Sequence, residues 1–402
     1  MTDPGSATQK PHTCLRNVAS LWTGTEVVRG VDVMMAEGHI VTIERSSGGG
    51  GSAIDIDATG LIAMPGLVDC HTHTVWAGTR LGDFVRRQSG ESYAAILEGG
   101  GGIHTTVHAT RGASDEVLRA LCRARLDTML ASGVTTVEIK SGYALTIEGE
   151  ARLLRIAREC AGPQRVVTTF LGAHAIPPDR DRAAYVDEVC GPMLAACLAY
   201  ADGIDVYCDR GAFTLAEAER ILRAGKAVGL SIRAHAEQVD GTGIAALAAT
   251  LGALSCDHLE RLDDAGIAAM ARAGTVAVLL PGAMLYLHDS APPIAKLRAA
   301  GVALSVATDF NPGSSPVRDL WTCATLACLT MGLSPEEALG GITVNAARAL
   351  GLAGVGELRA GAVADVALYK PPPGEIADPR VLVQYMGGHR AEMVFVGGAR
   401  VG

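Results

Sequence analysis

The sequence predicts an α/β protein, a (β/α)8 barrel of the TIM type with a small β-sandwich domain built from both chain ends. Eight apolar, strand-like runs follow one another in the middle of the chain, helical patterns separate them, and polar residues stand at their carboxyl ends. Alternation of strand and helix indicates parallel pairing, and eight units over ~290 residues suit a closed barrel. The runs begin near Gly66, Val134, Val166, Gly203, Leu230, Ala253, Thr275 and Ala303.

The helical patterns between the runs are rich in alanine and leucine, most clearly at 114–132, 214–229 and 262–274. The chain ends differ, because short alternating runs interrupted by glycine and serine are typical of β-strands. Such runs occur at 15–65 and again at 363–371 and 391–401. Neither end has enough strands for a stable sheet alone. We therefore expect residues 1–65 and 356–402 to share the small domain and residues 66–355 to form the barrel.

The amino-acid composition limits the kinds of protein and of binding partner that we expect. The chain has 402 residues, of which 49% are hydrophobic and 19% charged, so a large core is expected. Acidic residues outnumber basic ones by nine (43 against 34), which argues against nucleic acid or an anionic membrane as a partner. The ten cysteines form no CxxC pair and lie mostly in apolar runs, which favours reduced thiols and a cytoplasmic location.

Neither a secretory signal nor a membrane span is expected. The first ten residues, MTDPGSATQK, contain no apolar stretch. The longest apolar stretch, at 276–287, is interrupted by Pro281 and Gly282 and is too short to cross a bilayer.

Four side chains at the ends of apolar runs form a candidate metal site. His71 and His73, in GLVDCHTHT, are separated by one residue on an extended chain, so their side chains point to the same face. His235 closes the run LSIRAHA and Asp309 closes ALSVATD. Three histidines and a carboxylate are the ligands of a catalytic zinc or iron site with a position open for water.

Each of these residues also has an alternative interpretation. His71 and His73 could be solvated loop residues, and His235 a hydrogen-bonded core histidine. Asp309 could ligate the metal, hold the attacking water and shuttle its proton, or do both. Its structural alternative is an N-cap of the following turn.

Three further polar residues stand at strand ends. His258, in ALSCDHLE, could polarise a substrate oxygen or stabilise an oxyanion as a neutral imidazole, or it could be structural. His174, in LGAHAIPP, suits substrate binding or a structural role. Lys140 could be carbamylated and bridge two metals, as in some barrel hydrolases, but the four ligands already suffice for one metal.

Two connections are candidates for substrate contact. About forty residues separate His73 from the helical pattern near Ser114, and long βα loops in barrels are usually functional lids. This connection contains Arg80, a short helical piece ESYAAILE at 91–98 and the glycine run at 99–102. The second connection, NPGSSP after Asp309, is expected to expose backbone N–H groups near the next helix and to bind an anion or amide.

Taken in order, the motifs resemble those of the imidazolonepropionase family of the amidohydrolase superfamily. They are HTHTVWAGTR, GGGGIHTTVHATR, EIKSGYAL, TFLGAHAIPP, HAEQ, SCDHLE and TDFNPGSSP, and the resemblance covers about residues 15–402. It implies a metal-dependent hydrolase that opens the cyclic amide of 4-imidazolone-5-propanoate to give N-formimidoyl-L-glutamate in L-histidine degradation. It also implies a homodimer that takes a small-molecule substrate.

The resemblance further implies the roles of single residues. One zinc(II) or iron(III) ion per subunit would be held by His71, His73, His235 and Asp309. Catalysis would involve Asp309, His258 and Gln238. The substrate would be bound by Arg80, Tyr143, His174, Gln238, Asn311, Gly313 and Ser314.

Three positions depart from the family pattern. Ala144 stands where SGYG would have glycine, PGAMLYL at 281–287 is less aromatic than PGAFYFL, and Gln238 stands where some members have glutamate. These departures concern substrate fit and proton transfer, since none of them is an expected ligand.

Two other functions stay open from the sequence alone. One is a different reaction of the same superfamily, such as deamination of a purine or triazine, which would use the same ligands with a different pocket. The other is a barrel that has lost catalysis and works as a binding protein. Such proteins usually lose metal ligands, and all four are present here.

Overall fold

A computed structural model of the chain describes residues 12–46, 54–91 and 101–402. The strands of these residues are β1 Thr13–Trp22, β2 Val27–Ala36, β3 His39–Arg45, β4 Ile54–Asp57, β5 Ile62–Pro65, β6 Leu67–Asp69, β7 Val134–Lys140, β8 Arg165–Ala173, β9 Gly203–Cys208, β10 Ser231–Ala236, β11 Ser255–His258, β12 Val276–Leu279, β13 Leu304–Val306, β14 Val366–Tyr369, β15 Met393–Val396 and β16 Ala399–Arg400.

The helices follow the same order along the chain. They are α1 Leu81–Gln88, α2 Ile103–Gly112, α3 Asp115–Ala131, α4 Ile147–Glu159, α5 Arg182–Glu188, α6 Leu194–Cys197, α7 Leu215–Ala227, α8 Ile244–Thr250, α9 Asp264–Ala273, α10 Pro281–Leu287, α11 Ile294–Ala299, α12 Leu320–Met331, α13 Pro335–Gly341, α14 Val344–Ala349 and α15 Arg380–Gln384. A π-helical turn at Val189–Met193 joins α5 to α6.

Strands β6 to β13 form a parallel barrel in which each strand pairs with its neighbours in chain order. The first and last strands meet just beyond their ends, where the N–H of Asp309 donates to the carbonyl of His71 at 3.0 Å. The N–H of His73 donates in turn to the carbonyl of Phe310, also at 3.0 Å. The predicted (β/α)8 barrel is confirmed, and all eight strands begin within two residues of the expected positions.

Several helices around the barrel begin at a polar cap and bury one face. In α3, the side chain of Ser114 accepts from the N–H of Val117, and Leu118, Cys122 and Leu126 are buried at a spacing of four residues. Burying an apolar side chain of leucine size contributes about 1.5–3 kcal/mol. The helices predicted at 114–132, 214–229 and 262–274 are therefore confirmed as α3, α7 and α9.

Both chain ends contribute strands to the second sheet, as expected. Its order is β16-β15-β14-β5-β1-β2-β3, with β4 paired to β1, and β14 lies antiparallel to β5. Apolar side chains from both ends, such as Leu15, Val33, Val366 and Phe395, share a core that is separate from the barrel core.

In the long connection after β6, helices α1 and α2 are in place. Of the short helical piece expected at 91–98, only Glu91 is among the described residues, and Gly99 and Gly100 of the glycine run also lie outside them. Gly102 adopts φ 75° at the start of α2, and its N–H donates to Asp83 at 2.9 Å.

Gly133 lies where the second sheet packs against the barrel. The hydroxyl of Tyr369 donates to the carbonyl of Ser132 at 2.8 Å. Gly133 has φ 96°, and a Cβ atom there would lie 1.8 Å from the Tyr369 oxygen. Only glycine fits this contact, because any side chain would add a steric clash to an unfavourable backbone conformation.

We expect Gly133→Ala to lower the free energy of unfolding by more than ~2 kcal/mol, since the clash with Tyr369 adds to the backbone strain. Gly229→Ala is the matched control. Gly229 has φ 87°, but no atom of the described chain lies within 4 Å of an added Cβ. The control should lose only the ~1–2 kcal/mol of strain. Urea unfolding curves measure both variants, and equal losses would contradict the packing argument.

All ten cysteines are free thiols, and eight of them are buried. Among the described helices, none combines the length and apolar character that a bilayer crossing would require.

Candidate metal centre and active site

Five side chains converge at the carboxyl ends of the barrel strands. His71 and His73 follow β6, His235 lies on β10, His258 ends β11 and Asp309 follows β13, and none is more than 3% exposed. The ring centroids of His71 and His235 are 4.6 Å apart, and those of His235 and His258 are 5.4 Å apart. Asp309 Oδ1 lies 3.4 Å from His71 Nε2 and 3.5 Å from His73 Nε2. The structure thus brings the four expected ligands and His258 together.

Two of these residues have an unusual backbone conformation. His258 has φ 78° and Asp309 has φ 50°, in the left-handed region that residues other than glycine rarely adopt. Such a conformation costs of the order of 1–3 kcal/mol and persists where surrounding contacts impose it. At Asp309 these contacts include Asp69, which accepts from both the N–H and the hydroxyl of Thr308 at 3.1 and 2.6 Å.

The donor atoms of the cluster fit a metal ion. Ligand atoms of His71, His73 and Asp309 all lie within 4.8 Å of one another, and so do those of His71, His235 and His258. The buried Nε2 of His71 has no hydrogen-bond partner in the described part of the chain. Leaving such an atom unpaired costs about 1–3 kcal/mol, and an ion bound by these nitrogens and oxygens removes that cost. His258, expected to contact the substrate oxygen, thus also lies within reach of an ion.

Burial and hydrogen bonding set the protonation of the cluster. Burial lowers the pKa of His73 to about 4 and that of His258 to about 3, so both imidazoles are neutral. Burial and the charge of Lys140 oppose a charge on His71, but its contacts with Asp257 and Asp309 outweigh both and raise its pKa to about 9. For Asp309, burial acts to raise the pKa, yet contacts with His71 and His73 hold it well below its usual range. Asp309 is therefore a carboxylate, the form that binds cations.

Two carboxylates behind the histidines fix their orientation. Asp257 Oδ2 lies 2.6 Å from His71 Nδ1, and Asp205 Oδ2 lies 3.1 Å from His235 Nδ1. A carboxylate that accepts from one imidazole nitrogen leaves the lone pair of the other nitrogen for a metal. Sequence reasoning missed both residues. The available signal was a charged residue inside an apolar strand, in GIDVYC and ALSCDH, since such a residue is rarely buried without a partner.

Lys140 lies beside these carboxylates. Its Nζ is 2.8 Å from Asp205 and 2.9 Å from Glu138, with Asp257 at 3.7 Å. Burial opposes the charge, but the three carboxylates raise the pKa of Lys140 above its usual value. Because carbamylation requires a free amine, the ammonium form argues against the alternative of a carbamylated lysine between two metals.

His174 and Tyr143 lie next to the metal cluster. The ring of His174 stacks on that of His73, with centroids 5.1 Å apart and planes 18° from parallel. The ring of Tyr143 is 5.4 Å from His174 and 5.6 Å from His73. His174 Nδ1 lies 3.1 Å from the carbonyl oxygen of Gly142. Both aromatic residues are thus placed to contact a molecule bound at the cluster.

The guanidinium of Arg80 is buried with one nitrogen unpaired. Nε donates to Asp83 at 2.5 Å and Nη1 donates to Thr106 at 3.3 Å. No described residue accepts a hydrogen bond from Nη2. Gly313 faces this group, because a Cβ atom there would lie 2.9 Å from Nη1. Arg80 therefore has a donor left for an anionic group of a ligand.

The loop after Asp309 differs from the expectation. Asn311 Oδ1 accepts from the N–H groups of Gly313 and Ser314, each at 2.8 Å. The prediction that these N–H groups stay exposed for an anion or amide was wrong, because an asparagine side chain pairs readily with the backbone two or three residues on. Asn311 Nδ2 also donates to the carbonyl of Asp309 at 2.7 Å. The loop therefore holds the backbone of Asp309 in place.

Three polar residues follow the strand-end histidines. Gln238 lies three residues beyond His235 and is 8% exposed. Its neighbour Glu237 is buried, which raises its pKa to about 7. Burial likewise raises the pKa of Glu260 to about 8, and its Oε2 lies 4.0 Å from Nδ1 of His258. Sequence reasoning singled out Gln238 and missed both glutamates, although an acid close behind a strand-end histidine, in HAE and DHLE, was a readable signal.

A family model and two relatives of this chain indicate the same family. A family model described as the amidohydrolase family matches residues 62–401. The imidazolonepropionase of Ectopseudomonas mendocina (strain ymp) is 49% identical over 326 residues, which are 79% of this chain and 80% of that protein. The imidazolonepropionase of Aromatoleum aromaticum is 48% identical over 355 residues, which are 86% of this chain and 85% of that protein.

Solved structures share the fold at low sequence identity. The atrazine chlorohydrolase of Arthrobacter aurescens TC1, complexed with zinc, has a TM-score of 0.70 at 18% identity over 96% of this chain and 94% of that one. An adenosine deaminase from Xanthomonas campestris with bound zinc has a TM-score of 0.70 at 17% identity, over 97% of this chain and 93% of that one. Because the family model and the relatives both cover most of its length, this chain belongs to the imidazolonepropionase family of the amidohydrolases.

Proposed function

We propose that this chain hydrolyses the cyclic amide bond of 4-imidazolone-5-propanoate and releases N-formimidoyl-L-glutamate, a step of L-histidine degradation. One observation carries the proposal. In a member of this family, His71, His73, His235 and Asp309 converge at the mouth of the barrel, with Asp309 Oδ1 within 3.5 Å of two imidazole nitrogens. Membership of the family, at 49% identity to a relative named for this activity, supports the choice of substrate.

We also propose one zinc(II) or iron(III) ion per subunit, held by these four residues. The unpaired nitrogen of His71, the carboxylate form of Asp309 and the spacing of the ligand atoms support it. When bound, such an ion lowers the pKa of a water molecule toward ~7 and polarises a carbonyl oxygen. The side chains around it supply the orientation, the proton transfer and the exclusion of bulk water.

Asp309 is the group that moves the proton. Its carboxylate accepts the proton of the attacking water and delivers it to the ring nitrogen that leaves. The loop around Asn311 holds the backbone of Asp309. His258 donates an N–H to the oxygen of the carbonyl under attack, and one such donor contributes on the order of 3 kcal/mol to the transition state. We propose that Gln238, three residues beyond His235, assists this proton transfer as a neutral hydrogen-bonding group.

We propose that the residues beside the metal cluster bind the substrate. Arg80 offers its unpaired Nη2 to the propionate carboxylate, which matters in a chain with a net charge of −9. Tyr143 and His174 contact the ring. We propose that Gly313 and Ser314 also line the pocket, where the lack of a side chain at Gly313 leaves room for Arg80.

Arg80→Lys is expected to raise KM by about tenfold or more with a smaller change in kcat, because a lysine cannot reproduce a guanidinium donor pair to a carboxylate. Steady-state kinetics measure the effect. Arg86→Lys is the matched control and should keep the wild-type KM, because Arg86 of α1 forms an ion pair with Glu91 at the surface. An unchanged KM for Arg80→Lys would remove Arg80 from the substrate pocket.

The activity is tested by incubating metal-loaded protein with 4-imidazolone-5-propanoate. Loss of the ultraviolet absorbance of the ring, together with formation of N-formimidoyl-L-glutamate, is the expected result. Release of ammonia from an aminopurine or a triazine, with the imidazolone left intact, would instead favour a deaminase. Turnover of none of these substrates by protein with bound metal would contradict the proposal.

Three further proposals concern the location of the enzyme, its oligomeric state and its division into domains. Eight buried free thiols support a reducing compartment, which we propose to be the cytoplasm. We propose a homodimer from the family resemblance, and light scattering after gel filtration tests it. We further propose that residues 1–65 and 356–402 act as one small domain beside the barrel of residues 66–355.

A further inference from the structure

Lys140 connects the two carboxylates that orient His71 and His235. We propose that it is a positioning residue of the metal centre, whose ammonium holds Asp205 and Asp257 in the places from which they orient the two imidazole ligands. The inference rests on the ligand roles proposed above for His71 and His235.

Two chains of contacts lead from Lys140 to the ligands. On one side its Nζ is 2.8 Å from Asp205, and Asp205 is 3.1 Å from His235 Nδ1. On the other side Nζ is 3.7 Å from Asp257, and Asp257 is 2.6 Å from His71 Nδ1. The side chains of Lys140, Asp205 and Asp257 are completely buried, so water cannot replace any of these contacts.

The barrel geometry explains why these three residues meet. Lys140 ends β7, Asp205 lies in β9 and Asp257 lies in β11, which are alternate strands. In a closed barrel, inward side chains from alternate strands share one layer. The layer therefore contains two carboxylates that face one cation, and the imidazoles stand next to it.

The positive charge of Lys140 offsets the repulsion between Asp205 and Asp257. Two carboxylates in a water-free interior repel each other, and each is costly to bury as an ion. The ammonium of Lys140 lies 2.8 Å from Asp205 and 3.7 Å from Asp257, close enough to offset this repulsion. With the cation present, each carboxylate is held beside Nδ1 of its histidine, at 2.6 Å for Asp257 and 3.1 Å for Asp205. The Nε2 lone pairs are then left for the metal.

Without the positive charge of Lys140, we expect Asp205 and Asp257 to adopt a different arrangement. One carboxylate would turn away from the other, and the imidazole beside it would lose its fixed orientation. A purely structural lysine would affect the stability of the barrel and leave the geometry of bound metal unchanged. The two roles therefore differ in what they predict for metal binding, apart from any effect on turnover.

The test is Lys140→Met, which keeps the length of the side chain and removes its charge. Zinc affinity is measured by competition with a chromophoric chelator, and ligand geometry by the visible absorption spectrum of the cobalt(II) protein. We expect zinc affinity to fall by about tenfold or more, as for other residues that orient metal ligands, and the cobalt spectrum to change. Wild-type affinity together with a wild-type spectrum would overturn the proposal.

Arg233→Met is the matched control. Arg233 is another completely buried cation of the barrel, and its Nη1 donates to the hydroxyl of Ser231 at 3.0 Å. Removing it should lower stability and leave zinc affinity and the cobalt spectrum unchanged. If Arg233→Met changes the zinc affinity and the cobalt spectrum as much as Lys140→Met does, then the loss of any buried cation has this effect. The specific role of Lys140 would be refuted.

A second pair of variants covers the case in which Lys140→Met does not fold. Glu138 contacts Lys140 at 2.9 Å, so Glu138→Gln with Lys140→Met removes one charge of each sign and keeps the net charge of the interior. Compared with Glu138→Gln alone, the double variant should again bind zinc about tenfold more weakly. Equal affinities would overturn the proposal. Failure of the wild-type protein itself to bind zinc, cobalt or iron would refute the proposed function, which is a separate outcome.

Discussion

His235→Ala is expected to reduce turnover by about 10³-fold or more. The reason is that His235 is one of the four proposed ligands, and a bound ion would both activate water and polarise the carbonyl, which is worth several kcal/mol. His235 lies at the rim of the barrel and outside its apolar core, so the fold should persist without the imidazole.

Two measurements separate this result from simple unfolding. Metal analysis of the purified variant should find much less bound ion than in the wild type, and its circular dichroism spectrum should be unchanged. His39→Ala, at an exposed histidine of the second sheet, is the matched control and should retain both ion and turnover. A His235→Ala protein that is active and fully loaded with metal would contradict the ligand assignment.

Asp309→Asn is the second substitution with a large expected effect. The amide matches the carboxylate in shape but accepts no proton at neutral pH, so kcat should fall by about 10²–10⁴-fold while KM changes less. The contact of Asn311 with the backbone carbonyl of residue 309 does not depend on the side chain, so the loop should stay in place.

Metal content distinguishes the two roles of Asp309. A variant that loses kcat and keeps its ion has lost only proton transfer, whereas loss of both indicates that the carboxylate is also a ligand. Asp181→Asn, at the exposed N-cap of α5, should keep wild-type kcat and metal content. A wild-type kcat for Asp309→Asn would refute both roles.

The sequence was sufficient to predict the barrel, since its signals are local. Apolar runs of strand length, alternating with helical patterns, located all eight strands to within two residues. The paired histidines were equally readable, because the spacing of His71 and His73 on an extended chain places both side chains on one face.

The parts that sequence reasoning missed depend on distant residues or on a competing local contact. Asp205 of β9 lies beside His235 of β10, and Asp257 of β11 lies beside His71 after β6, only because the barrel brings these strands together. No single strand contains that information. In the loop after Asp309, the backbone donors expected to bind a ligand are taken by Asn311, a side chain within the same motif.

The central claim is that four side chains from β6, β10 and β13 hold one cation. Crystals of the zinc-loaded protein, with anomalous data collected at the zinc edge, test it most directly. We expect a single strong peak about 2.0–2.2 Å from the ligand atoms of His71, His73, His235 and Asp309. An anomalous map without a peak among these four residues, or with its strongest peak elsewhere in the barrel, would contradict the account.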